Sequence, residues 1–215
     1  MIRFHMADMD RLTLFSTELT VFRPDGVTEL NDALKRTLLA ERALGPSGFK
    51  ASVSGGWHSR PDLAMRREEP FQALMALFVD HVGYCLQGMA AERGLEVPQH
   101  RWSVQSWAVV LDRGGYNLLH DHAAAHWSVA WYVDAGDPPP ADAADAGALS
   151  FVDPRRAAPV IPGLELAPST FTVHPQSGML VVFPGALQHY VHPYQGERPR
   201  ICVSANLRME LTPGR

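Results

Sequence analysis

Three histidines in two separate segments have the spacing of a metal site. His120 and His122 flank Asp121, whereas His189 follows an apolar stretch and a Pro-Gly turn further along the chain. In an extended segment, residues two apart project to the same face, so both imidazoles of the first pair can bind one ion while Asp121 points away. Each ring nitrogen could then lie about 2.0–2.2 Å from a metal. The alternative for a His-x-His pair by itself is two surface histidines near a turn.

The third histidine changes the chemistry that this group could do. Two ligands from one strand edge and one from a distant strand make a facial site that keeps open coordination positions. Non-haem Fe(II) enzymes use this arrangement for oxygen chemistry, although imidazole also suits zinc, nickel and copper. The ligand type therefore predicts a metal site without selecting the metal.

Arg200 begins a segment in which residues alternate between two faces of a predicted strand. One face holds the apolar residues Ile201, Val203, Ala205 and Leu207. The other face holds Arg200 with the small or polar residues Cys202, Ser204 and Asn206. A guanidinium on such a face indicates the wall of a polar pocket, where its fork can pair with a carboxylate. The alternative is an arginine at the solvent end of the strand, and the strand by itself does not separate the two.

Two amphipathic helices and then a series of short strands must position these groups. Residues 28–44 place leucines on one stripe, and a second helix begins at Glu69 and stops at Gly94. Residues 52–59 contain too much glycine for a helix interior and are predicted as an ordered loop. The predicted strands are residues 102–111, 127–133, 148–152, 171–173, 179–183 and 201–207.

The order of these elements indicates the architecture. Helices first and many short strands later favour one α+β domain over residues 1–215, with a sandwich or barrel as its β part. Residues 1–100 are predicted as mainly helical and residues 101–210 as the β core. Residues 135–147, rich in proline, alanine and aspartate, are predicted as a mobile surface loop, and residues 155–169 are expected to wrap the outside.

Composition excludes several classes of function. The chain of 215 residues has 19 basic and 23 acidic residues, and its net charge of −4 argues against a general nucleic-acid binder. The two cysteines, Cys85 and Cys202, cannot form a disulfide framework and favour a reducing compartment. No signal peptide and no apolar run near the ~20 residues of a membrane span is evident, so a cytoplasmic protein without membrane contact is expected. A barrel edge or the second helix could serve a homodimer.

The histidine segments resemble motifs of a known family of barrel proteins. Residues 114–122 and 178–189 are similar to the paired motifs of cupins, which are small double-stranded β-helix barrels. The glutamate of the first cupin motif is absent here, with His126 near its place, and the second motif has Ala186 where glycine is expected.

The closer resemblance is to the 2-oxoglutarate/Fe(II) oxygenase superfamily, in particular to a bacterial branch of it. The branch motifs read GGWHS at 55–59, YNLLHDH at 116–122, FVDPR at 151–155 and FPGALQHYVHPY at 183–194, with Arg200 beyond them. Each motif is weak by itself, but their order and spacing over residues 54–206 are specific. The resemblance implies an α+β fold: a double-stranded β-helix (jelly-roll, cupin-like) barrel with N-terminal helices packed on it.

Carried over residue by residue, the resemblance implies a ligand set and a reaction. His120 and His189 would bind Fe(II), and Arg200 would bind the distal carboxylate of 2-oxoglutarate. The superfamily usually has a carboxylate where this chain has His122, but the related branch also has histidine there, which implies a site of three histidines. Asp121 could serve as a ligand only if the backbone departs from extended geometry. The implied reaction uses O2 to decarboxylate 2-oxoglutarate to succinate and hydroxylates an unidentified substrate.

Further residues are candidates for the cavity wall. Tyr116, Asn117, Trp131 and Ser204 are candidates for the co-substrate side; Trp57, His58 and Ser59 could close over the barrel mouth, and Asp153 could contact substrate. Each has a structural alternative, because aromatic residues also pack in barrels and Asp153 could form a surface ion pair.

Two other functions fit the same residues. A cupin-type metalloenzyme would bind substrate directly to the metal without 2-oxoglutarate, and a metal- or ligand-binding module would have no turnover. Replacement of Arg200 by alanine separates the first alternative, because only an oxygenase would selectively lose affinity for 2-oxoglutarate. Iron binding without oxygen-coupled loss of 2-oxoglutarate would favour the second.

Overall fold

The computed structural model describes residues 16–47, 49, 51–155 and 169–212. Two α-helices, a short 3₁₀ turn at Leu63–Met65 and nine strands make up this part of the chain. The helices are α1 (Thr28–Ala43) and α2 (Glu69–Glu92). The strands are β1 (Thr20–Phe22), β2 (Val53–His58), β3 (His100–His120), β4 (Trp127–Asp134), β5 (Leu149–Val152), β6 (Thr170–Val173), β7 (Leu180–Pro184), β8 (His189–Val191) and β9 (Arg200–Leu211).

The nine strands form a single antiparallel sheet. Eight of them follow the order β1-β7-β4-β9-β3-β8-β5-β6, and β2 pairs with β3 beside this path. The longest ladder joins β3 to β9 and runs from His100 opposite Leu211 to Leu111 opposite Arg200. The sheet curls into a half-barrel, so the inner face encloses a cavity while the outer face packs on the helices.

Strict alternation in the central strands separates the two faces of the sheet. The side chains on one face point toward the helices: Ala108 and Val110 of β3, Val129, Trp131 and Val133 of β4, Leu180 and Val182 of β7, and Ile201, Val203, Ala205 and Leu207 of β9. Toward the barrel interior point Val109, Leu111, Ala130, Tyr132, Val181, Phe183 and Cys202. Because side chains alternate along a strand, each strand contributes to both cores. The alternation predicted for residues 200–207 is confirmed.

The helices cover the outer face of the sheet with one apolar stripe each. Leu34 and Leu38 of α1 are fully buried, as are Phe71, Phe78 and Val82 of α2. Burying one such side chain contributes roughly 1.5–3 kcal/mol as an upper estimate, so these stripes hold the helices against the sheet. The predicted helix positions are confirmed to within two residues at each end.

Helix α2 also meets, by length and composition, the criterion for a membrane-crossing helix. It has 24 residues, and its most apolar 18-residue window has a mean hydropathy of 1.2, with 28% of that window buried. The expectation that no apolar run approaches a membrane span is therefore wrong at the level of composition. One such helix is weak evidence of membrane contact, because a helix whose apolar stripe lies in a protein core passes the same test.

The glycine-rich segment after α1 is a strand rather than the predicted loop. Strand β2 pairs with β3, and the register shifts between Ser54 and Gly56. The two backbones approach so closely here that a Cβ on Gly115 would lie 2.5 Å from the carbonyl oxygen of Gly55. Glycine in this segment therefore permits close contact between the two strands. Strand propensity alone counts glycine as unfavourable, and so the segment was predicted as a loop.

The loop at residues 135–147, predicted as a mobile surface loop, is hydrogen-bonded to the segment after β8. The Asp137 carboxylate accepts hydrogen bonds from the backbone of Glu197 and Arg198 and from Arg198 Nε at 2.6 Å. The Tyr194 hydroxyl donates to the Arg198 carbonyl at 2.7 Å and accepts from the Asp137 amide at 2.6 Å. We call these four residues the Tyr194 clamp. The second predicted linker, residues 155–169, lies almost entirely outside the described residues.

Candidate active site

The structure brings the three predicted histidines together. His120 ends β3 and lies directly opposite His189 of β8 in the strand register, and His122 follows two residues later. One ring nitrogen from each histidine lies within 4.8 Å of the other two. Among the described residues this is the group of side chains that could hold a metal ion, and Asp121 is not part of it. The long strand β3 thus makes a site from residues 69 positions apart.

Backbone hydrogen bonds orient two of the three rings. His120 Nδ1 donates to the Leu118 carbonyl at 2.7 Å, and His189 Nδ1 donates to the Leu187 carbonyl at 2.8 Å. Each bond leaves the lone pair of Nε2 free for a ligand. Metal-binding histidines commonly use the second ring nitrogen in this way, which fixes the tautomer and the ring plane.

Burial keeps two of the imidazoles neutral. Burial is the main cause that lowers the pKa of His189 to about 3 and the pKa of His122 to about 4, and the nearby His120 lowers both further. A neutral imidazole is the form that binds a metal ion. His122 and His189 can therefore bind a divalent cation without a proton first having to leave at neutral pH.

A tight turn holds His122 against the end of β7. The His122 amide donates to the Gly185 carbonyl at 2.7 Å. A Cβ on Gly185 would overlap the carbonyl oxygen of Ala125, so glycine is required where the two backbones cross. Asp121 is exposed in this turn, where its Oδ1 accepts from the Ala123 amide at 3.2 Å. The Pro-Gly pair seen in the sequence thus serves both His189 and His122.

Arg200 is buried in the barrel without a counter-charge. Its side chain is 2% exposed, and its Nε has no hydrogen-bond partner. No carboxylate among the described residues forms a salt bridge with it. Its guanidinium carbon lies 5.0 Å from the ring centre of Tyr132. A buried charge without a partner is costly, so this position fits an anionic ligand such as the distal carboxylate of 2-oxoglutarate.

The groups around Arg200 do not neutralise it. Burial raises the pKa of the Tyr132 phenol and of the Cys202 thiol, so both stay protonated and uncharged at neutral pH. Backbone packing then limits where the guanidinium can go, because a Cβ on Gly147 would lie 3.5 Å from Arg200 Cδ and 3.0 Å from the Tyr194 ring. The Tyr194 clamp thus holds the loop that packs on the arginine.

One cavity of about 320 Å³ contains both the histidines and Arg200. Of the predicted wall residues, the structure brings Asn117, Ser204 and His58 to this cavity. Asn117 Nδ2 donates to Ser52 Oγ at 3.3 Å, and Ser52 Oγ lies 3.4 Å from His120 Nε2. These contacts connect the first part of the chain to the histidine cluster.

The prediction that Trp131 and Tyr116 belong to the cavity wall is wrong, because neither residue lines the cavity. Trp131 is fully buried on the helix side, where its Nε1 donates to Asn31 Oδ1 at 2.9 Å. Its neighbour Tyr132 takes the interior position, because the two residues lie on opposite faces of β4. Tyr116 lies opposite Ser54 in the ladder between β2 and β3.

Three of the predicted substrate residues also lie elsewhere. Trp57 packs in the helix-side core and donates from Nε1 to the Gly45 carbonyl at 3.2 Å. Ser59 is fully buried and accepts from the Ala108 amide at 2.9 Å. Asp153 forms an ion pair with Arg155, whose hydrogen bonds lower the pKa of its carboxyl to about 2. Trp57 and Asp153 thus have the structural roles that were their alternatives.

Among the lining residues that sequence reasoning missed are Phe49, Gln105, Trp107 and Tyr132. Gln105 and Trp107 share a face of β3 with Val109 and Leu111, so alternation along the predicted strand could have found them. Phe49 lies in a connecting segment, where no periodic signal exists.

Comparisons with known proteins agree with this geometry. The family model described as "Putative 2OG-Fe(II) oxygenase" matches residues 105–206, a range that contains the three histidines and Arg200. A search of curated proteins finds no match.

Solved structures share the fold. A Pseudomonas putida prolyl-4-hydroxylase is 20% identical with a TM-score of 0.58, covering 91% of this chain and 94% of its own. HygX from Streptomyces hygroscopicus, crystallised with nickel and 2-oxoglutarate, is 12% identical with a TM-score of 0.59, covering 89% and 82%. A prolyl hydroxylase from Trichoplax adhaerens is 12% identical with a TM-score of 0.54, covering 88% and 82%. At these identities the likeness shows the fold, which confirms the predicted double-stranded β-helix.

The family match confirms the class of enzyme and its two cofactors. HygX was crystallised with nickel and 2-oxoglutarate and, in another structure, with iron. The matched part of the chain, residues 105–206, is similar to 2OG-Fe(II) oxygenases, the family that its motifs resemble.

Proposed function

We propose that the protein is a dioxygenase that hydroxylates a C–H bond, with His120, His122 and His189 holding Fe(II) and Arg200 holding 2-oxoglutarate. One observation carries the proposal: a cluster of three histidines lines the same cavity as a buried guanidinium that no described carboxylate pairs with. The histidines supply neutral nitrogen ligands, and the guanidinium supplies the charge that a dicarboxylic acid needs at its far end.

The net reaction balances with one co-substrate. RH, O2 and 2-oxoglutarate give ROH, succinate and CO2; one oxygen atom enters the substrate and the other enters succinate. When bound, Fe(II) and 2-oxoglutarate supply the oxidising chemistry. The protein contributes orientation and the exclusion of water.

The chain's own residues divide this work along the barrel. Arg200 fixes one end of the co-substrate, and the neutral Tyr132 ring under it excludes water. Ser204, on the same face of β9, offers a hydroxyl to the bound molecule. Asn117 holds Ser52 beside His120 and so keeps the β2 side of the cavity in place.

The test is an anaerobic titration of the protein with Fe(II) and then with 2-oxoglutarate. We expect the weak visible charge-transfer band of the chelated complex in the native protein. In Arg200→Gln the half-saturating 2-oxoglutarate concentration should rise by about 30-fold or more, because a buried charged contact is worth about 2–5 kcal/mol. Arg208→Gln is the matched control, since Arg208 is an exposed arginine on the same strand.

Two results would contradict the proposal. If iron binds but millimolar 2-oxoglutarate forms no band, co-substrate binding fails and a cupin-type metalloenzyme becomes the better explanation. If the band forms but exposure to O2 never yields succinate in the presence of any substrate candidate, a binding module without turnover is favoured.

A further inference from the structure

The cavity extends beyond the histidines to an open end that Arg200 does not reach. Asn206 lies six residues beyond Arg200 on the interior face of β9, about 20 Å away at the usual rise per residue. The residues that line this open end are Phe49, His58, Gln105, Trp107, Asp121 and Asn206. They form what we call the mouth of the site.

Aromatic rings lead from the mouth to the histidine cluster. Phe49, which is 42% exposed, lies 4.9 Å from the His58 ring, measured between ring centres. The His58 ring is parallel to Trp107 within 9° at 6.1 Å, and Trp107 lies 5.4 Å from His122. Such a series offers π faces to an apolar body or to a cation close to the proposed metal site.

The mouth has a single fixed charge among the described residues. Of the side chains that line the cavity, Asp121 and Arg200 carry the formal charges, and Arg200 is buried at the far end. Asp121 is exposed and forms no salt bridge with any described residue. Burial lowers the pKa of His58, so this ring does not add a positive charge to the mouth at neutral pH. With Fe(II) and 2-oxoglutarate bound, their opposite charges cancel, and Asp121 is the charged side chain at the mouth among the described lining residues.

Two amide side chains lie beside Trp107 in the lining of the mouth. Gln105 and Asn206 face each other across β3 and β9 in the strand register. Asn206 Oδ1 accepts from Ser128 Oγ at 2.8 Å, which leaves its amide nitrogen free to donate. These groups can bind hydroxyl or carbonyl groups of a substrate but offer no counter-charge to an acid.

We propose that the prime substrate is an organic amine that enters as a cation, with its ammonium group at Asp121 and its apolar or ring portion against Trp107 and Phe49. This inference rests on the proposed function for the identity of the reaction, but its binding step can be measured without turnover. An acidic substrate would meet the Asp121 carboxylate at the mouth, where the described lining offers no basic side chain besides the distant Arg200.

The experiment uses matched probes on the anaerobic protein loaded with Fe(II) and 2-oxoglutarate. Two scaffolds are compared as amine, alcohol and carboxylate: 3-phenylpropylamine, 3-phenylpropan-1-ol and 3-phenylpropanoate, and tryptamine, tryptophol and indole-3-acetate. Binding is read from the thermal midpoint and from the change in the visible band. We expect the amines to raise the midpoint and to alter the band, and the carboxylates to do neither.

Two variants separate the charge from the aromatic contact. In Asp121→Asn the amines should bind about fivefold more weakly, the size expected for a partly exposed ion pair, while half-saturation by 2-oxoglutarate stays within about twofold. Asp142→Asn, which removes an exposed carboxylate of the 135–147 loop, should change neither. Trp107→Leu should weaken phenylpropylamine more than an aliphatic amine such as butylamine.

The inference fails if carboxylates or alcohols bind as well as the amines, if Asp121→Asn keeps the amine preference, or if no probe binds to protein that forms the 2-oxoglutarate complex. A protein that never forms that complex would instead contradict the proposed function. In that event the same amine series, measured on metal-free protein, still tests the charge preference of the mouth.

Discussion

The two ends of the cavity are built in different ways. At the Arg200 end the side chains of Arg200 and Tyr132 are 2% and 0% exposed, and both come from interior positions of paired central strands. At the mouth, Phe49 is 42% exposed and Asp121 lies in a turn. Strand pairing holds the first end in one arrangement, whereas connecting segments can vary without disturbing the sheet. The difference matches a co-substrate common to a family and a substrate particular to one protein.

The largest effect on ligand binding is expected at the histidines, which lie between the two ends of the cavity. In His189→Ala the affinity for Fe(II) should fall by more than about 100-fold, because a direct ligand is lost and not merely an outer contact. Anaerobic iron binding measures it. His174→Ala is the control, since His174 is an exposed histidine that pairs with Asp145. Unchanged iron affinity in His189→Ala would remove this residue from the metal site.

The second largest effect is expected at the Arg200 end of the cavity. Arg200→Met should abolish stabilisation by 2-oxoglutarate, yet the free energy of unfolding of the ligand-free protein should stay equal or rise by about 1–3 kcal/mol. The physical reason is that a buried, unpaired charge is replaced by an apolar chain of similar length. Urea unfolding with and without 2-oxoglutarate gives both values. A marked loss of stability without ligand would mean that Arg200 has a structural partner.

A smaller effect is expected at the Tyr194 clamp, which should influence binding of 2-oxoglutarate at the Arg200 end but not binding of iron. Tyr194→Phe removes a hydroxyl that makes two hydrogen bonds and should cost about 1–2 kcal/mol of unfolding free energy. Because the clamped loop packs on Arg200, affinity for 2-oxoglutarate should fall by about three- to tenfold while iron binding is unchanged. Tyr190→Phe is the control. Equal losses of iron and 2-oxoglutarate affinity would indicate general loosening instead.

The smallest effect on the site is expected from Trp131, on the other face of the sheet. Trp131→Phe leaves the buried Asn31 carbonyl without its donor and should cost about 1–3 kcal/mol of stability. Affinities for Fe(II) and 2-oxoglutarate should stay within about twofold of the native protein. A selective loss of 2-oxoglutarate affinity would indicate that Trp131 lines the cavity, contrary to its position on the helix side of the sheet.

The sequence contained much of the site and less of its surroundings. The His-x-His pair, His189 after a Pro-Gly turn and the polar face beginning at Arg200 could all be read as patterns of spacing. The positions of Trp131 and Tyr116 could not, because alternation assigns residues to two faces without saying which face is inside. The role of Asp153 could not be predicted either, because an aspartate close to an arginine in sequence can belong to a binding site or to a surface ion pair.

Residue types and their spacing were enough to predict the local chemistry: which side chains could bind a metal or a carboxylate, where the helices begin, and which strand residues share a face. The fold was needed to show which face encloses the cavity, that the glycine-rich segment is a strand against β3, and that no described carboxylate pairs with Arg200. Those properties depend on contacts between residues far apart in the chain, such as His120 with His189 and Asp137 with Arg198. Periodicity describes one strand at a time, whereas pairing and burial belong to the assembled sheet.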